Sequence, residues 1–194
     1  MDKAVYDTLA KGHKAYGNPI FSDDCRKLAF TASNDTSKNI NKTYSLFLSN
    51  IKAAEPPYKG KLSVTEEIVS EGSVVEGTKG WTLNENSEPF FTVSGDRIFI
   101  NIGEIRSSKD TSIVDFETAQ LDLWNWDDLY TPPQYKRKQN SILKKTYPAV
   151  INLKDGYKIT PLTTAFYDNI VRLDGGESDW ALSVDSEAYI RSSA

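Results

Sequence analysis

Few residues in this chain have side chains suited to catalysis. The 194 residues include one histidine, His13, and one cysteine, Cys25. A serine hydrolase needs a general base beside its nucleophile, usually a histidine oriented by a carboxylate. His13 lies in a polar stretch, and no G-x-S-x-G turn occurs in the sequence. The 27 acidic residues offer many pairs for glycoside hydrolysis, but no pair stands out. We therefore expect an exposed His13 and no catalytic residues in this chain.

One acidic turn is a candidate cation site. The stretch LDGGESDW contains Asp174, Glu177 and Asp179, whose carboxylates could surround a calcium ion. The alternative is an ordinary glycine-rich turn in solvent. One histidine and one cysteine cannot form a zinc site without carboxylates, and no segment has the spacing of an EF-hand loop. We expect no cofactor, because Gly175 and Gly176 lead into a predicted strand and a phosphate-binding loop leads into a helix.

Several aromatic residues are candidates for ligand contact. Trp81, Tyr130 and Tyr135 lie between predicted strands, where exposed rings could meet a peptide, a glycan or a partner protein. Trp124 and Trp126 belong to QLDLWNWDDLY, an extended pattern with apolar residues on both faces. Such a strand is typical of a sheet covered on both sides. We interpret these two tryptophans as core residues, with a ligand-stacking platform as the alternative.

Charge, hydropathy and the cysteine count argue against a nucleic-acid partner, membrane insertion and an internal disulfide. The formal net charge is -4, from 23 basic and 27 acidic residues. The most basic run, at 136–138, is short, so we interpret it as a solvated loop and expect no nucleic-acid partner. No stretch of 18 apolar residues occurs, which predicts no membrane insertion. The N-terminal stretch lacks the apolar core of a signal peptide. Cys25, as the single cysteine, excludes an internal disulfide.

The hydrophobic pattern predicts short strands almost throughout. Only residues 2–11 have a spacing that fits a short helix. The strand candidates are short and rich in β-branched and aromatic residues, and polar turns separate them. They lie at 27–32, 44–49, 62–69, 97–102, 120–126, 149–153, 157–162, 169–173 and 180–184.

An internal repeat carries the fold prediction. Residues 18–30, NPIFSDDCRKLAF, align without gaps with residues 88–100, EPFFTVSGDRIFI. Each copy has a proline and an aromatic residue, then a tight polar turn, then a strand that begins with a basic residue. A weaker third copy begins at Tyr147. Repeated antiparallel units of four strands are typical of β-propeller blades. The two clear copies lie 70 residues apart, which predicts long loops inserted into blades of the usual ~40–50 residues.

We therefore predict an all-β chain, a partial β-propeller of two to three antiparallel four-stranded blades. The predicted divisions are a lead-in at 1–17, a first blade with a long connection at 18–87, a second blade with inserted loops at 88–146, and a third, incomplete blade at 147–194. Terminal blades of a partial propeller expose faces and edges that are normally covered. The chain is therefore expected to self-associate.

Three stretches resemble the N-terminal propeller of prolyl oligopeptidase family serine peptidases, of the dipeptidyl aminopeptidase or acylaminoacyl-peptidase type found in Bacteroidetes. They begin at Asn18, Gly80 and Lys109. The family pattern that opens a blade matches Trp81, Glu85, Pro89, Phe91, Thr92, Gly95, Arg97 and Ile98. A second signature, an acidic and hydrophobic strand with paired tryptophans, matches Asp115, Leu121, Asp122, Trp124, Trp126, Asp127, Asp128, Pro133 and Gln134.

The resemblance implies a non-catalytic role in a larger peptidase. The propeller would limit and orient peptide substrates for an α/β-hydrolase domain of the same parent chain, and that domain is not present in this sequence. Export to the periplasm or the cell exterior is implied as well. The family's acidic pair for a substrate amino terminus cannot be placed, because Glu66 and Glu67 lie in a predicted strand. The alternative is a stand-alone propeller-like module that binds a peptide, a glycan or a partner protein.

Overall fold

The computed structural model describes residues 8–52, 63–107, 125, 128, 130–165 and 168–186. Four antiparallel strands in chain order form a first sheet, called sheet A: β1 (Ala15–Phe21), β2 (Lys27–Ser33), β3 (Ser45–Ile51) and β4 (Ser63–Val69). A second sheet, called sheet B, contains β5 (Trp81–Thr82), β6 (Phe90–Phe91), β7 (Arg97–Glu104), β8 (Tyr147–Asn152) and β9 (Ile159–Pro161). The strands β10 (Asp168–Arg172) and β11 (Ala181–Asp185) pair as a separate antiparallel hairpin.

The two sheets share one topology. In sheet B, β5 pairs with residues 103–104 of β7 and β6 pairs with residues 98–99. The opposite edge of β7 pairs with β8, so β5 and β6 together occupy the position that β1 has beside β2. The strand β1 also has an irregular register, with a shift between Gly17 and Ile20. Each sheet is therefore a meander of four strand positions, and in sheet B a loop interrupts the first position.

The repeat found in the sequence adopts the same turn in both sheets. The Ser22 hydroxyl accepts a hydrogen bond from the Lys27 N–H at 3.0 Å, and the Thr92 hydroxyl accepts one from the Arg97 N–H at 3.3 Å. The N–H groups of Ser22 and Thr92 donate to the carbonyls of Lys27 and Arg97 at 2.9 and 3.1 Å. A hydroxyl residue before the turn and a basic residue after it thus close the hairpin in the same way twice.

In both turns, the residue three positions after Ser22 or Thr92 has a positive φ. Cys25 has φ 55° and Gly95 has φ 68°. Their N–H groups donate to the carbonyls of Ser22 and Thr92 at 2.8 and 2.9 Å. The left-handed conformation suits glycine and is uncommon for other residues. The tight turn therefore places the single cysteine in an exposed, left-handed position.

Sheets A and B pack face to face around the main core. Alternate residues of β2 and β3 point to one face, and those of β7 and β8 meet them. The cluster consists of Ala29, Leu46, Leu48, Val69, Leu83, Phe91, Ile98, Ile100 and Ile151. On the opposite face of sheet A, a second cluster of Leu28, Phe30, Ala32 and Phe47 packs against Leu9, Ala10 and Ile51. The central strands of sheet A are thus covered on both sides, as their apolar sequences require.

The β prediction is confirmed at the level of a mostly antiparallel β fold. Eight of the predicted strands coincide with β2, β3, β4, β7, β8, β9, β10 and β11, within one or two residues at each end. The ninth, at 120–126, lies outside the described residues apart from Asn125. Trp124 and Trp126 are among the residues not described, so their interpretation as core residues stays a prediction. The predicted division at Tyr147 separates β7 from β8, which are hydrogen-bonded neighbours in sheet B. The domain bounds themselves stay a prediction.

Two predictions differ from the structure in the described residues. The basic run at 136–138 is not a loop, because it belongs to α1 (Pro132–Leu143). Residues 8–11, the described part of the helix predicted at 2–11, have no helical structure. No residue of α1 is buried, so its sequence needs no apolar stripe and a search for helical period misses it. The available signal was at its start, where Thr131 precedes two prolines and Gln134 accepts a hydrogen bond from the Thr131 N–H at 2.8 Å.

Candidate functional site: the junction of sheet B and the β10–β11 hairpin

Basic residues link each turn to the next one along the chain. The Lys27 ammonium donates to the Gly95 carbonyl at 2.5 Å, from the turn of sheet A to the turn of sheet B. Arg97 lies at the same place in sheet B, and its guanidinium lies 3.1 Å from the Ser178 carbonyl. It also contacts the carboxylate of Asp179. In each of two successive hairpins, the basic residue at this position therefore binds the next hairpin along the chain.

The cation-site candidates belong to this junction. Glu177 accepts hydrogen bonds from the N–H and the hydroxyl of Ser94, at 2.6 and 3.0 Å. The bond from the Ser94 N–H lowers the pKa of Glu177 below its usual range. Asp179 faces Arg97, and Asp174 has φ 50° in an exposed turn. Among the residues that the structure describes, no group of three or more histidine, cysteine, aspartate or glutamate side chains has the arrangement of a metal site.

Gly176 forms the closest contact of this junction. A Cβ atom on Gly176 would lie 2.4 Å from Cε2 of Phe99 and 3.2 Å from Cγ2 of Thr92. Gly176 also has φ 93°, which L side chains rarely adopt. The backbone of the hairpin turn therefore lies directly on the outer face of sheet B, which buries Phe99 from the side opposite the main core.

A cavity of about 380 Å³ opens between sheet B and the hairpin. Arg172 of β10 lies in its wall. The guanidinium carbon lies 5.1 Å from the centre of the Phe99 ring, which also lines this cavity, and 4.6 Å from that of Phe90, which does not. Trp180 lies in the same wall and is 79% exposed. We call this space the Arg172 cavity. Its size lies at the lower end of the range for small-molecule sites, about 300–1,000 Å³.

A second cavity of about 410 Å³ also includes Arg172 in its lining. Its walls are more polar and contain Glu88, Asn101, Lys145 and Asp168. The carboxylate of Asp168 accepts a hydrogen bond from the Thr163 hydroxyl at 2.7 Å. Arg172 therefore lies between a mainly apolar cavity and a polar one.

The three aromatic candidates have different environments. Trp81 is only 8% exposed, and its ring stacks on Tyr147 with the ring centres 4.1 Å apart. Tyr130 and Tyr135 lie at the start of α1 and meet edge to face at 5.5 Å. The Lys138 ammonium lies 4.0 Å above the Tyr130 ring. Of the three, only the tyrosines present rings at the surface, so a ligand role for Trp81 would require it to leave its stack.

The adjacent glutamates of β4 serve separate partners. Glu66 accepts a hydrogen bond from the Tyr157 hydroxyl at 2.5 Å, and this bond raises the pKa of Tyr157. Glu67 accepts one from the Ser45 hydroxyl at 2.7 Å. Neighbouring residues of a strand point to opposite faces. The two carboxylates therefore do not converge on one ligand.

A network of carboxylates at the end of sheet A was not predicted from the sequence. Asp35 accepts hydrogen bonds from the N–H groups of Thr43 and Ser37, at 3.0 and 2.6 Å. These bonds, the one from Thr43 first, lower the pKa of Asp35 to about 2. Glu71 accepts from the hydroxyl of Ser33 and the N–H of Asn34, both within 3.2 Å. The network fixes the loop after β2, and no spacing in the sequence reveals it because its members lie up to 38 residues apart.

His13 also has structural contacts. Its Nδ1 lies 3.1 Å from the amide nitrogen of Asn34, and its ring meets the edge of Phe47 at 5.1 Å between centres. His13 is only partly exposed, so the expectation of an exposed side chain was wrong. Packing against Phe47 explains the difference.

No protein-family model, no curated protein and no solved structure matches this chain. Within the described ranges, none of the helices has the length and apolar character that a membrane span requires.

Proposed function

We propose that this chain is a segment of a β-propeller in a serine peptidase similar to the prolyl oligopeptidase family. Its role is to restrict and orient peptide substrates for an α/β-hydrolase domain of the same parent protein. The observation that carries the proposal is the repeated junction, in which Lys27 and then Arg97 reach from one turn to the next. Two sheets of one topology, stacked face to face and followed by a further hairpin, are the arrangement that successive blades require.

The proposed mechanism is steric and not covalent. A stacked set of sheets is rigid, because strands such as β7 are packed on both faces. A rigid wall beside a hydrolase active site admits short or extended peptides and excludes folded proteins. Holding a bound peptide in one orientation also favours reaction, because the entropy of alignment is lost before the chemical step. The nucleophile, its base and the oxyanion donors belong to the hydrolase domain in this proposal.

The test is the size and reactivity of the native protein in its source cells. An antibody raised against this chain would capture the protein, and a fluorophosphonate probe would label any active serine hydrolase in the captured material. We expect a species several times larger than 21.7 kDa that carries the label. The purified 194-residue chain, treated with the same probe, is the matched control and is expected to stay unlabelled.

A native species of 21.7 kDa without label would overturn the peptidase proposal. That outcome favours the second candidate, a stand-alone binding module. The pair of Tyr135, which is exposed, and Tyr130, which is partly exposed, lies beside Lys138 and supports this candidate, because surface aromatics next to a cation are common at binding surfaces. A large species without label would leave the propeller in a non-hydrolytic protein, which also contradicts the peptidase role. Export to the periplasm is part of the first proposal, and cell fractionation with the same antibody tests it.

A further inference from the structure

We propose that the Arg172 cavity binds a small carboxylate that carries an apolar group, with the guanidinium of Arg172 as the partner of the carboxylate. The proposal does not rest on the peptidase assignment, because it concerns only contacts between sheet B and the hairpin. It assigns a ligand class to a cavity that is separate from the main core.

Two aromatic rings position the Arg172 side chain. Its guanidinium lies over two aromatic rings, those of Phe90 and Phe99, at 4.6 and 5.1 Å. Contacts with ring faces hold the guanidinium plane and leave its N–H groups free to donate at its edge. Across the described ranges, no carboxylate or carbonyl accepts a hydrogen bond from Arg172. A guanidinium that is already positioned loses little entropy when it binds a carboxylate through two parallel hydrogen bonds.

Four other charged side chains line the cavity. Arg97 contacts carbonyls and the Asp179 carboxylate, so it stabilises the turn and is not available for a ligand. Lys158 lies in the wall and pairs with Glu76 at 3.0 Å, but both side chains are largely exposed. Exposed ion pairs of this kind are weak, so Lys158 still contributes positive potential. With Asp155, the lining contains three basic and two acidic side chains, a formal sum of +1 that favours an anion.

The lining of the cavity also contains large apolar side chains. Trp180 lines this cavity and is 79% exposed to solvent, and Val150, Leu162 and Leu173 also contribute to the lining. An apolar group that covers Trp180 removes apolar surface of both partners from water, which favours binding. A ligand with both features, a carboxylate and a bulky apolar group, would therefore contact both the guanidinium and the apolar side chains. N-acetylphenylalanine has these features in a small molecule, as does a peptide that ends in a large apolar residue.

The experiment compares two probes that differ only in charge. N-acetyl-L-phenylalanine and its neutral amide would be titrated into the full chain by isothermal calorimetry, with tryptophan fluorescence as a second readout. We expect the acid to bind about 10-fold more tightly than the amide, because a charge-assisted pair of hydrogen bonds is lost in the amide. Equal affinity for the two probes would overturn the proposal, and so would absence of acid binding at roughly 10 mM.

Variants then test the named residues. Arg172→Gln is expected to weaken binding of the acid about 10-fold and to leave the amide unchanged. Arg137→Gln, an exposed arginine of α1, is the matched control and is expected to bind as the wild type does. Trp180→Ala is expected to weaken both probes. Unchanged acid affinity in Arg172→Gln would contradict the assignment. If that variant does not fold, the comparison of acid and amide in the wild type still decides the matter.

Discussion

Gly176 shows how one residue without a side chain can position a larger element. Its backbone lies on Phe99 and Thr92, at a distance that no Cβ atom tolerates. Neighbouring Gly175 also has a positive φ, yet the nearest atom to its hypothetical Cβ is 3.9 Å away, on Val93. The two glycines therefore separate the effect of backbone strain from the effect of close packing.

Replacing Gly176 with alanine is expected to destabilise the docked hairpin by roughly 2 kcal/mol or more, because strain at positive φ and a collision with Phe99 add together. Gly175→Ala is the control and should cost about 1 kcal/mol, from strain alone. Urea unfolding and hydrogen exchange of the β10 and β11 amides measure the two effects. Equal destabilisation by the two substitutions would show that Gly176 does not dock against Phe99 in solution.

Asp35 makes stability depend on pH in the acid range. Its pKa of about 2 in the folded state lies below the ordinary value of 3.8. The carboxylate therefore contributes stability above pH 3.8, and the contribution is lost as the pH falls towards 2. Asp35→Asn should lower the free energy of unfolding by about 1 kcal/mol at pH 6, with a smaller difference near pH 2.5. Asp23→Asn, at an exposed site, should change it by less than ~0.5 kcal/mol. Urea unfolding at the two pH values measures these differences. A difference between Asp35→Asn and the wild type that does not change with pH would refute this role.

At the scale of elements, the β10–β11 hairpin depends on Arg97. We expect Arg97→Gln to raise hydrogen exchange in β10 and β11 and to lower stability by about 1–2 kcal/mol, while sheet A keeps its protection. Arg106→Gln is the control, because Arg106 forms an ion pair with Glu104 at 3.3 Å near the end of β7, and such surface pairs contribute about 0–1 kcal/mol. If exchange rises equally in sheet A and the hairpin, the contact is not specific to the hairpin.

The helix α1 contrasts with the strands around it. None of its residues is buried, so little packing stabilises it. A 12-residue helix is marginal without tertiary contacts. Ser141→Pro should therefore shorten the helix, reduce its signal in far-ultraviolet circular dichroism and change the global unfolding free energy by less than ~0.5 kcal/mol. Ile151→Ala, in the core, should instead cost about 2–5 kcal/mol. A large global loss in Ser141→Pro would mean that α1 belongs to the cooperative fold.

For the whole molecule, the outer face of the hairpin favours self-association. Val171, Leu182 and Val184 alternate along it and are all exposed. We expect sedimentation velocity to show association that increases with concentration and falls in Leu182→Lys. Leu182 is 54% exposed and lies in this row, whereas Val74 is 62% exposed and lies in a loop. Val74→Lys is thus the matched control and should associate as the wild type does. A monomer at all concentrations would contradict the prediction.

The strands were predictable from the sequence because their apolar residues alternate or run continuously, as the covered sheets require. The repeated turn was predictable because a tight hairpin restricts residue types at fixed offsets, as at Ser22 and Thr92. The Arg172 cavity was not predictable, since Arg172 meets Phe90 and Phe99 only after two separate elements dock. The buried position of Trp81 was missed for the same reason, because its partner Tyr147 lies 66 residues away in the chain.

The contacts between turns also set an order in time. Lys27 finds its acceptor 68 residues later in the sequence, at Gly95, and Arg97 finds carbonyls about 80 residues later. A ribosome that adds about 5–20 residues per second needs roughly 3–14 s to bridge the first of these gaps. During translation, the basic residue of each completed turn therefore lacks its carbonyl acceptor until the following hairpin has been made. These contacts between turns therefore form one after another, from the N-terminal side, as the chain is synthesised.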